Sequence, residues 1–559
     1  MRQKEIELGK YIGCLFLMFL SMICYYGAPT TSDYRTTFGD IIGLLVVIAF
    51  IALFMAVTTS LKASALIFVF VFSIWGIANT IVNEARGYPI YPGDFANITT
   101  AAKVAGRYKV SVHPEFIIGI TISIIAILFT IFIVKEIRLT NVKRRLLMAF
   151  ISLSFLIMMA IACMTGFTYR AIGFAHTQYE FRDIATVTPY IHFFSNAVTA
   201  DIQTSPDYDP KNMEYTLDNY HTIQTVPDKM PDIIVIMNES FADIGADTDV
   251  SPLGYLQTLQ DEDNVISGDL NVSVYGGLTA VTEFEFLTGI SDLFYGKDIV
   301  PYTRLDHNTP SLARDLKALG YKAIAKHPYD GDGYNRKNAY RYLGFDEAKF
   351  LDDYEKTSLY DKDKLLNSSL VSDSEFYKWI EQDVPITEHE QPIFSMNVTI
   401  QNHSPYNTST EEEYVAYPDN EDIHNYLNYL YLSDQALKEI IEHYKDSANP
   451  VMIVFFGDHQ PYLKGMTYDD SSRMYKVPYT IWANFPIENR RVDTSANYLG
   501  NNVLKLAGLP ISDFRQFLEE LKGDFPIITS NNEDIKGESP IMLYNDLSYY
   551  QINSLTEAQ

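Results

Sequence analysis

The chain has 559 residues, which exceeds a single ordinary hydrophobic core and predicts at least two domains. Its formal net charge of −27 is unevenly spread: residues 1–200 contain 16 Lys and Arg against 10 Asp and Glu, and the remainder contains 27 against 60. The second half is so acidic that nucleic acid is not expected as a partner, because phosphate backbones are bound by surfaces rich in Lys and Arg. All three cysteines precede residue 200, so neither a disulfide framework nor a zinc–thiolate site is expected in the acidic half.

The first 170 residues contain five apolar runs. A helix needs about 20 apolar residues to cross the hydrocarbon core, so the runs predict a five-helix transmembrane domain over residues 1–168. A single run of this kind is also compatible with a buried helix of a soluble protein, but five in close succession favour the membrane. The runs cover residues 11–27, 39–58, 63–83, 114–134 and 146–167.

The basic residues predict the orientation of these spans. They cluster before the first run and in the 135–145 loop between the fourth and fifth runs. Because cytoplasmic loops are enriched in Lys and Arg, we expect the N-terminus and this loop to be cytoplasmic. An odd number of spans then places the chain after about residue 168 outside the cell. The sequence therefore predicts a multi-pass cell membrane protein that is embedded in the lipid bilayer.

Two segments have more than one interpretation. The loop at residues 84–113 carries basic residues on the predicted outer side, so it is either an interfacial segment that touches lipid head groups or a solvated loop. Residues 169–212 are predicted to be a connector. Within it, Val198-Thr199-Ala200 resembles a signal-peptidase site, which would release the following domain by cleavage near Ala200.

Residues 213–559 alternate short apolar strands with helices. Predicted strands are 232–237, 322–326, 393–399, 451–456 and 478–483, and predicted helices are 280–287, 310–319, 373–381, 421–445 and 499–507. Near-continuous apolar strands that alternate with helices indicate a largely parallel sheet covered on both faces. We therefore expect an extracytoplasmic α/β domain whose functional site lies at the carboxyl ends of its strands.

Polar residues follow several of these strands. Glu239 comes after the first strand, and Asp458 and His459 follow the strand at 451–456. Thr279 follows a Gly-Gly-Leu sequence and precedes a predicted helix, where a hydroxyl is well placed beside an anionic phosphate. Each residue alone could be an ordinary helix cap or turn residue. Their joint placement at strand ends favours a metal-assisted site.

Taken together, these motifs resemble the lipoteichoic acid synthase family of phosphoglycerol transferases, within the alkaline-phosphatase/sulfatase-like superfamily. The resemblance rests on Glu239 in Asn-Glu-Ser-Phe, Thr279 in Gly-Gly-Leu-Thr-x-x-Thr-Glu-Phe, and Gly457-Asp458-His459. It implies a five-helix transmembrane domain followed by an α/β/α sandwich of alkaline-phosphatase/sulfatase type. It also implies a role in cell wall biogenesis and a phospho-threonine-type intermediate on Thr279.

The resemblance also assigns the remaining site residues. Glu239, Asp458, His459 and Thr279 match metal ligands, and Thr279 matches the nucleophile as well. The residues that match substrate-binding positions are His327, Tyr334, Arg336 and His403. The chain departs from the family in having Leu278 where the family has lysine, Ala280-Val281 where it has a polar pair, and Tyr334 where it has tryptophan.

The implied chemistry agrees with the residues themselves. Two carboxylates, an imidazole and an alkoxide form a mixed oxygen and nitrogen shell that suits Mn²⁺, with Mg²⁺ or Zn²⁺ as alternatives. The implied donor is phosphatidylglycerol, and the acceptor is a polyglycerolphosphate chain, a glycolipid or a surface polysaccharide. A phosphoethanolamine transferase, another phosphodiester transferase or hydrolase, and a non-catalytic membrane regulator stay open. Sulfatase activity is disfavoured, since Thr279 stands where sulfatases have a modifiable Cys or Ser.

The predicted topology can be tested by cysteine labelling of intact cells. Because positions 140 and 350 fall on opposite sides of the membrane, a membrane-impermeant thiol reagent should label a cysteine introduced at 350 and leave one at 140 unlabelled until the cells are opened. Labelling at 140 but not at 350 would reverse the orientation.

Overall fold

A computed structural model of the chain describes residues 2–26, 37–86, 114–164, 202, 204–222, 224–295, 299–366 and 370–553. The loop at 87–113, most of the predicted connector and the sequence around Ala200 lie outside these residues. The chain divides near residue 200 into two compact units.

In the described residues of the N-terminal unit, five helices overlap the five apolar runs. They are α1 (Arg2–Tyr26), α2 (Thr37–Thr58), α3 (Leu61–Arg86), α4 (Pro114–Phe132) and α5 (Val142–Met164). Apolar side chains fill the interior of the unit, and others, such as Phe132 and Phe150, are exposed on its surface. Among the described residues, Leu61–Ala78 is long and apolar enough to cross a membrane, and shorter apolar helical segments occupy Leu8–Leu20, Gly43–Thr58 and Ile117–Phe132. The count of five spans therefore stays a prediction.

The C-terminal unit is built on one sheet in the order β4-β3-β5-β1-β6-β7-β2-β8, with β9 paired to β2. All five predicted strands are present, as β1, β3, β5, β6 and β7. The strands are β1 (Asp232–Asn238), β2 (Val265–Asn271), β3 (Lys322–Lys326), β4 (Glu347–Lys349), β5 (Ile393–Val398), β6 (Val451–Gly457), β7 (Lys476–Ala483), β8 (Arg490–Arg491) and β9 (Thr494–Ser495).

The expectation of a largely parallel sheet is only partly correct, because the sheet is mixed. Strands β4, β3, β5, β1 and β6 are parallel, but β7 runs antiparallel to both of its neighbours, β6 and β2. A parallel connection needs a crossover, usually a long helix. The segment between β6 and β7 instead contains a short 3-10 turn at Ser471–Tyr475, so the chain returns beside β6 in the opposite direction.

Helices surround this sheet, and every residue of β1, β5 and β6 is buried. The predicted helices correspond to α9, α10, α13, α14 and α15. The other helices of this unit, which include the long α16 and α17, were not predicted. In chain order the helices are α6 (Pro210–Asp218), α7 (Gly245–Thr248), α8 (Gly254–Leu259), α9 (Thr279–Thr288), α10 (Leu312–Ala318), α11 (Arg336–Tyr342), α12 (Leu351–Tyr354), α13 (Asp373–Asp383), α14 (Glu421–Lys445), α15 (Ala496–Leu506), α16 (Asp513–Asp524) and α17 (Ser539–Asn553).

Candidate active site

The candidate site begins where the two central strands end. Asn238, the last residue of β1, pairs with Gly457, the last residue of β6, so Glu239 and Asp458 leave the sheet side by side. The strands are packed so closely here that a Cβ on Gly457 would lie 2.0 Å from the carbonyl oxygen of Phe241. Only glycine fits at this position, which explains the Gly-Asp-His sequence.

Glu239, Asp458 and His459 form a buried group whose ligand atoms all lie within 4.8 Å of one another. The Nδ1–H of His459 donates to the carbonyl of Gln460 at 3.0 Å, which leaves Nε2 as the lone-pair nitrogen. That nitrogen lies 3.2 Å from Asp458 Oδ2 and 3.8 Å from Glu239 Oε1. Neither His459 Nε2 nor Asp458 Oδ2 has a hydrogen-bond partner among the described residues.

The charges of Glu239 and Asp458 indicate that this group needs a cation. Burial, and then the neighbouring charge of Asp458, raise the pKa of Glu239 well above its ordinary value. Lone pairs of two carboxylates and one imidazole thus face each other among almost completely buried side chains, an arrangement that is costly unless a cation lies between them. The residues therefore fit a divalent metal, and their mixed oxygen and nitrogen donors are compatible with Mn²⁺, Mg²⁺ or Zn²⁺.

Thr279 joins this group from the start of α9. Its Oγ1 donates to Glu239 Oε2 at 3.3 Å, and the residue is 5% exposed. The interpretation of Thr279 as an ordinary helix cap is wrong, because the capping position is occupied by Leu278 and carries no side-chain cap hydrogen bond. The Thr279 hydroxyl is instead directed to the acidic group, as a nucleophile or metal ligand would be.

The chain before Thr279 has an unusual backbone. Gly276, Gly277 and Leu278 have φ angles of 70°, 154° and 68°. Glycine adopts such angles without cost, but Leu278 is strained, and strained non-glycine residues concentrate at functional sites. This backbone turns Thr279 toward Glu239, so the paired glycines serve the tight approach expected from the sequence.

Hydrogen bonds fasten this loop to the strand ends. The Gly276 N–H donates to Gln460 O at 2.9 Å, and the Thr282 hydroxyl donates to Asp458 O at 2.7 Å. Asp458 Oδ1 accepts from the N–H groups of Ser240 and His459 at 2.7 and 2.8 Å. Ser240 and Thr282 had no predicted role, although both lie within the motifs that contain Glu239 and Thr279.

Arg336 is the buried cation of the site. Its Nε donates to Glu283 Oε2 at 3.1 Å, and both side chains are almost completely buried. Burial alone would lower the pKa of Arg336, but the Glu283 carboxylate raises it, so the guanidinium keeps its charge. Arg336 Nη2 is buried without a hydrogen-bond partner in the described structure, which leaves a donor available for an anion.

The other predicted substrate-binding residues lie around Arg336. Tyr334, in a left-handed conformation, places its ring 5.2 Å from Arg336 Cζ. His327 donates through Nδ1 to Val398 O at 3.0 Å. Burial, followed by the charges of Arg336 and of nearby His403, lowers the pKa of His327, so this imidazole is neutral. His403 is half-buried and its Nδ1 donates to Ser404 O at 2.6 Å.

A buried polar network that the sequence analysis missed supports the first strand end. Asn238 donates to Asp373 Oδ2 at 2.6 Å and accepts from Asn402 at 3.1 Å, and Ser433 donates to the same Asp373 oxygen at 2.6 Å. Burial raises the pKa of Asp373 to about 6. These bonds fix the residue that precedes Glu239. No local pattern indicates them, because Asp373 and Ser433 are on separate helices.

Comparison with known proteins agrees with this geometry. A model of the sulfatase family matches residues 231–509. The chain is 28% identical over 330 residues to a candidate cyclic beta-1,2-glucan modification protein of Rhizobium meliloti, covering 53% of this chain and 49% of that protein. It is 27% identical over 146 residues to the lipoteichoic acid synthase of Staphylococcus saprophyticus, covering 25% and 21%. Among solved structures, the Streptococcus pyogenes phosphoglycerol transferase GacH in complex with sn-glycerol-1-phosphate matches with 20% identity and a TM-score of 0.49, covering 63% and 94%.

Residues 231–509 contain the mixed sheet and the site at its strand ends. This part of the chain is a sulfatase-family domain, which confirms the family relationship expected from the sequence. The chain matches about half of the length of the first curated relative and a fifth of the second.

The predicted binding of a metal at this site has a direct test. Adding Mn²⁺ to chelator-treated protein should raise the thermal unfolding temperature of the catalytic unit. When the ion is at a hundred times its Kd, the expected gain in the free energy of unfolding is about 2.7 kcal/mol. Asp458→Asn keeps the Oδ1 hydrogen bonds but removes a charge, so it should abolish this rise. Exposed Asp469→Asn is the control. An undiminished Mn²⁺ response in Asp458→Asn would disprove the ligand assignment.

The Arg336–Glu283 pair predicts a separate effect on turnover. Arg336→Lys keeps the charge but loses the planar fork of the guanidinium. Glu283→Gln removes the negative charge of the partner that orients the guanidinium. Each should lower kcat/KM for a phosphodiester substrate. The expected loss of transition-state stabilisation is about 1–3 kcal/mol, the range for a charge-assisted hydrogen bond. The Mn²⁺-induced stabilisation should persist, since neither residue is among the predicted metal ligands. Wild-type kcat/KM in Arg336→Lys would remove Arg336 from the site.

Proposed function

We propose that the chain is a membrane phosphoglycerol transferase. It moves glycerophosphate from phosphatidylglycerol to a cell-surface polymer, glycolipid or polysaccharide through a covalent intermediate on Thr279. The transmembrane domain spans residues 1–168, a connector covers 169–212, and the catalytic domain at 213–559 is extracellular. The apolar helix at Leu61–Ala78, the shorter apolar helical segments described around it and the sulfatase-family domain support this organisation.

One observation carries the proposal: the Thr279 hydroxyl meets a buried, electron-rich donor set instead of capping its helix. The hydroxyl is 3.3 Å from Glu239 Oε2, and Asp458 and His459 complete the set. A threonine hydroxyl is a weak nucleophile at neutral pH and needs activation. A divalent cation held by Glu239, Asp458, His459 and Thr279, Mn²⁺ in our proposal, would lower the pKa of that hydroxyl.

In the first half-reaction, Thr279 Oγ1 forms a bond to phosphorus and the bond from phosphorus to the diacylglycerol oxygen breaks. The threonine loses its proton, and the departing diacylglycerol oxygen gains one. Arg336 donates to the phosphate oxygens through Nη2, which has no hydrogen-bond partner among the described residues, while Glu283 holds the guanidinium plane. The stacked ring of Tyr334 restricts the same guanidinium from another side.

The second half-reaction reverses this order. An acceptor hydroxyl loses its proton and forms the new bond to phosphorus, the phosphorus–Thr279 bond breaks, and the Thr279 oxygen takes up a proton. Neutral His327 and half-buried His403 are the groups that can take up or deliver that proton. A covalent intermediate lets one site serve the donor and the acceptor in turn.

The chemistry of the site alone does not select the donor, since phosphoethanolamine transfer would use the same groups. The match to lipoteichoic acid synthase supports phosphoglycerol, and the name of the Rhizobium meliloti relative supports a saccharide acceptor. Another phosphodiester transferase or hydrolase would share the threonine intermediate. A non-catalytic regulator would retain the fold without turnover.

Thr279→Ala decides whether this residue is chemically required. With labelled phosphatidylglycerol, the variant should neither release diacylglycerol nor form product, while Mn²⁺ and donor binding largely survive. Thr279→Ser should keep part of the activity because it keeps the hydroxyl. Liquid chromatography with mass spectrometry of lipids and products measures each step.

Neighbouring Thr282, whose hydroxyl donates to Asp458 O, provides the matched control. Thr282→Ala should lower stability more than it affects chemistry. Diacylglycerol release by Thr279→Ala at the wild-type rate would refute the proposal. Turnover of phosphatidylethanolamine in place of phosphatidylglycerol would redirect it to phosphoethanolamine, and turnover of neither lipid would favour a regulator.

A further inference from the structure

A cluster of four tyrosines lies beside the nucleophile loop and has no role in the steps above. Tyr275 is at its centre, and its ring centroid lies 6.5, 6.1 and 6.4 Å from those of Tyr462, Tyr468 and Tyr475. The first two contacts are edge to face, and the third is tilted. All four residues are half-buried, so the cluster is part of the surface and not of the core. We call this group the tyrosine platform.

The platform is joined to the catalytic residues through the backbone. Tyr275 precedes Thr279 by four positions, and it forms a β-bridge with Gln460, the residue after His459. The Tyr468 hydroxyl donates to Gln460 Oε1 at 3.4 Å, and Gln460 Nε2 donates to Lys476 O at 2.7 Å. The rings are therefore held in a fixed position next to the loop that carries Thr279 and the loop that carries Asp458 and His459.

The chemistry of the platform fits a sugar. A pyranose ring has an apolar face of C–H groups and hydroxyls around its edge, and tyrosine likewise combines an apolar ring with a polar tip. Three rings lie more than 6 Å from the central one, so the platform is wider than a single ring. It can therefore contact more than one consecutive sugar of an oligosaccharide.

The charge around the platform disfavours a polyanionic ligand. Exposed Asp469 and Asp470 follow Tyr468 directly. The basic residues of the surrounding loop are balanced by acidic ones: Arg473 forms a salt bridge with Asp247 at 3.2 Å, and the charges of Lys464 and Lys476 act on the carboxyl groups of Asp422 and Asp269. A polyglycerolphosphate chain would therefore meet little uncompensated positive charge here, whereas carboxylates beside aromatic rings can accept hydrogen bonds from neutral sugars.

We propose that the tyrosine platform is the acceptor subsite and that it binds a neutral oligosaccharide segment of a surface glycan. This inference rests on the proposed function, and it selects among the acceptors that the sequence left open. A sugar hydroxyl held on the platform forms the bond to phosphorus as the phosphorus–Thr279 bond breaks. The sugar hydroxyl gives up its proton, and the Thr279 hydroxyl regains one.

The test uses the full chain in lipid nanodiscs that contain labelled phosphatidylglycerol, with no glycoside detergent present. The acceptors offered are cellotetraose, laminaritetraose, maltotetraose, tetra-N-acetylchitotetraose, a glycerol phosphate oligomer and a monoglucosyl diacylglycerol. Diacylglycerol release and label transfer are measured separately. We expect transfer to at least one neutral oligosaccharide and little transfer to the glycerol phosphate oligomer.

Variants of the platform connect that transfer to the tyrosines. Tyr462→Ala and Tyr475→Ala should each raise the KM for the oligosaccharide about tenfold, as expected for loss of an aromatic anchor, with the KM for phosphatidylglycerol little changed. Tyr462→Phe keeps the ring and should recover most of the affinity. Tyr360→Ala is the control, because Tyr360 also packs edge to face on one tyrosine but follows β4 at the other end of the sheet.

The outcomes separate the two proposals. If diacylglycerol is not released from phosphatidylglycerol, the proposed function fails. If it is released but the label passes only to the glycerol phosphate oligomer or the glucolipid, or if no oligosaccharide is accepted, the platform is not a glycan subsite. The same conclusion follows if the KM for the oligosaccharide is equal in Tyr462→Ala, Tyr475→Ala and wild-type protein.

Discussion

The site depends on the parallel pairing of β1 with β6, which brings two buried carboxylates and one imidazole to a single point. The pairing of Asn238 with Gly457 sets this proximity, and the absence of a side chain on Gly457 permits it. Left without a cation, the group would be unfavourable, because burial and the neighbouring charge both disfavour ionised Glu239. The buried carboxylates at this edge of the sheet therefore carry an unfavourable electrostatic free energy that a bound divalent metal would offset.

Hydrogen bonds from the surrounding structure prevent these side chains from moving apart. Backbone N–H groups fix Asp458, the Thr282 hydroxyl holds its carbonyl, and the Asn238–Asp373 network fixes the end of β1. Thr279 reaches the group only because three residues before it adopt positive φ angles. The arrangement is thus preorganised: the Thr279 hydroxyl and the donor set are held together by the protein alone. A second charged pair, Arg336 with Glu283, is equally buried, and its guanidinium is the positive group that the proposed anionic substrate would contact.

Much of this site was predictable from sequence because it depends on local signals. Apolar runs gave the central strands, and the residues that follow them gave Glu239, Asp458 and His459, since the ends of parallel strands meet at one edge. The direction of β7 was not predictable, because apolarity does not distinguish parallel from antiparallel strands. Strand β2 was missed since its Val-Ile-Ser-Gly-Asp-Leu-Asn sequence is only weakly apolar.

Contacts between distant segments also lay beyond the sequence. Glu283 stood in an identified motif, but its partner Arg336 lies 53 residues away in sequence, and nothing local connects the two. The same holds for Asp373 with Asn238 and for Tyr275 with the three tyrosines that follow His459. Such pairs are determined by the sheet order and not by periodicity. The polar network and the tyrosine platform therefore emerged only once the strands were assembled.

The central claim is that Thr279 becomes covalently attached to the transferred group. Intact-mass analysis of the wild-type chain incubated with phosphatidylglycerol and Mn²⁺, without acceptor, followed by peptide mapping, tests it most directly. The account predicts a phosphoglycerol adduct on Thr279 that disappears when acceptor is added. Diacylglycerol release without any adduct, or an adduct on a different residue, would contradict it.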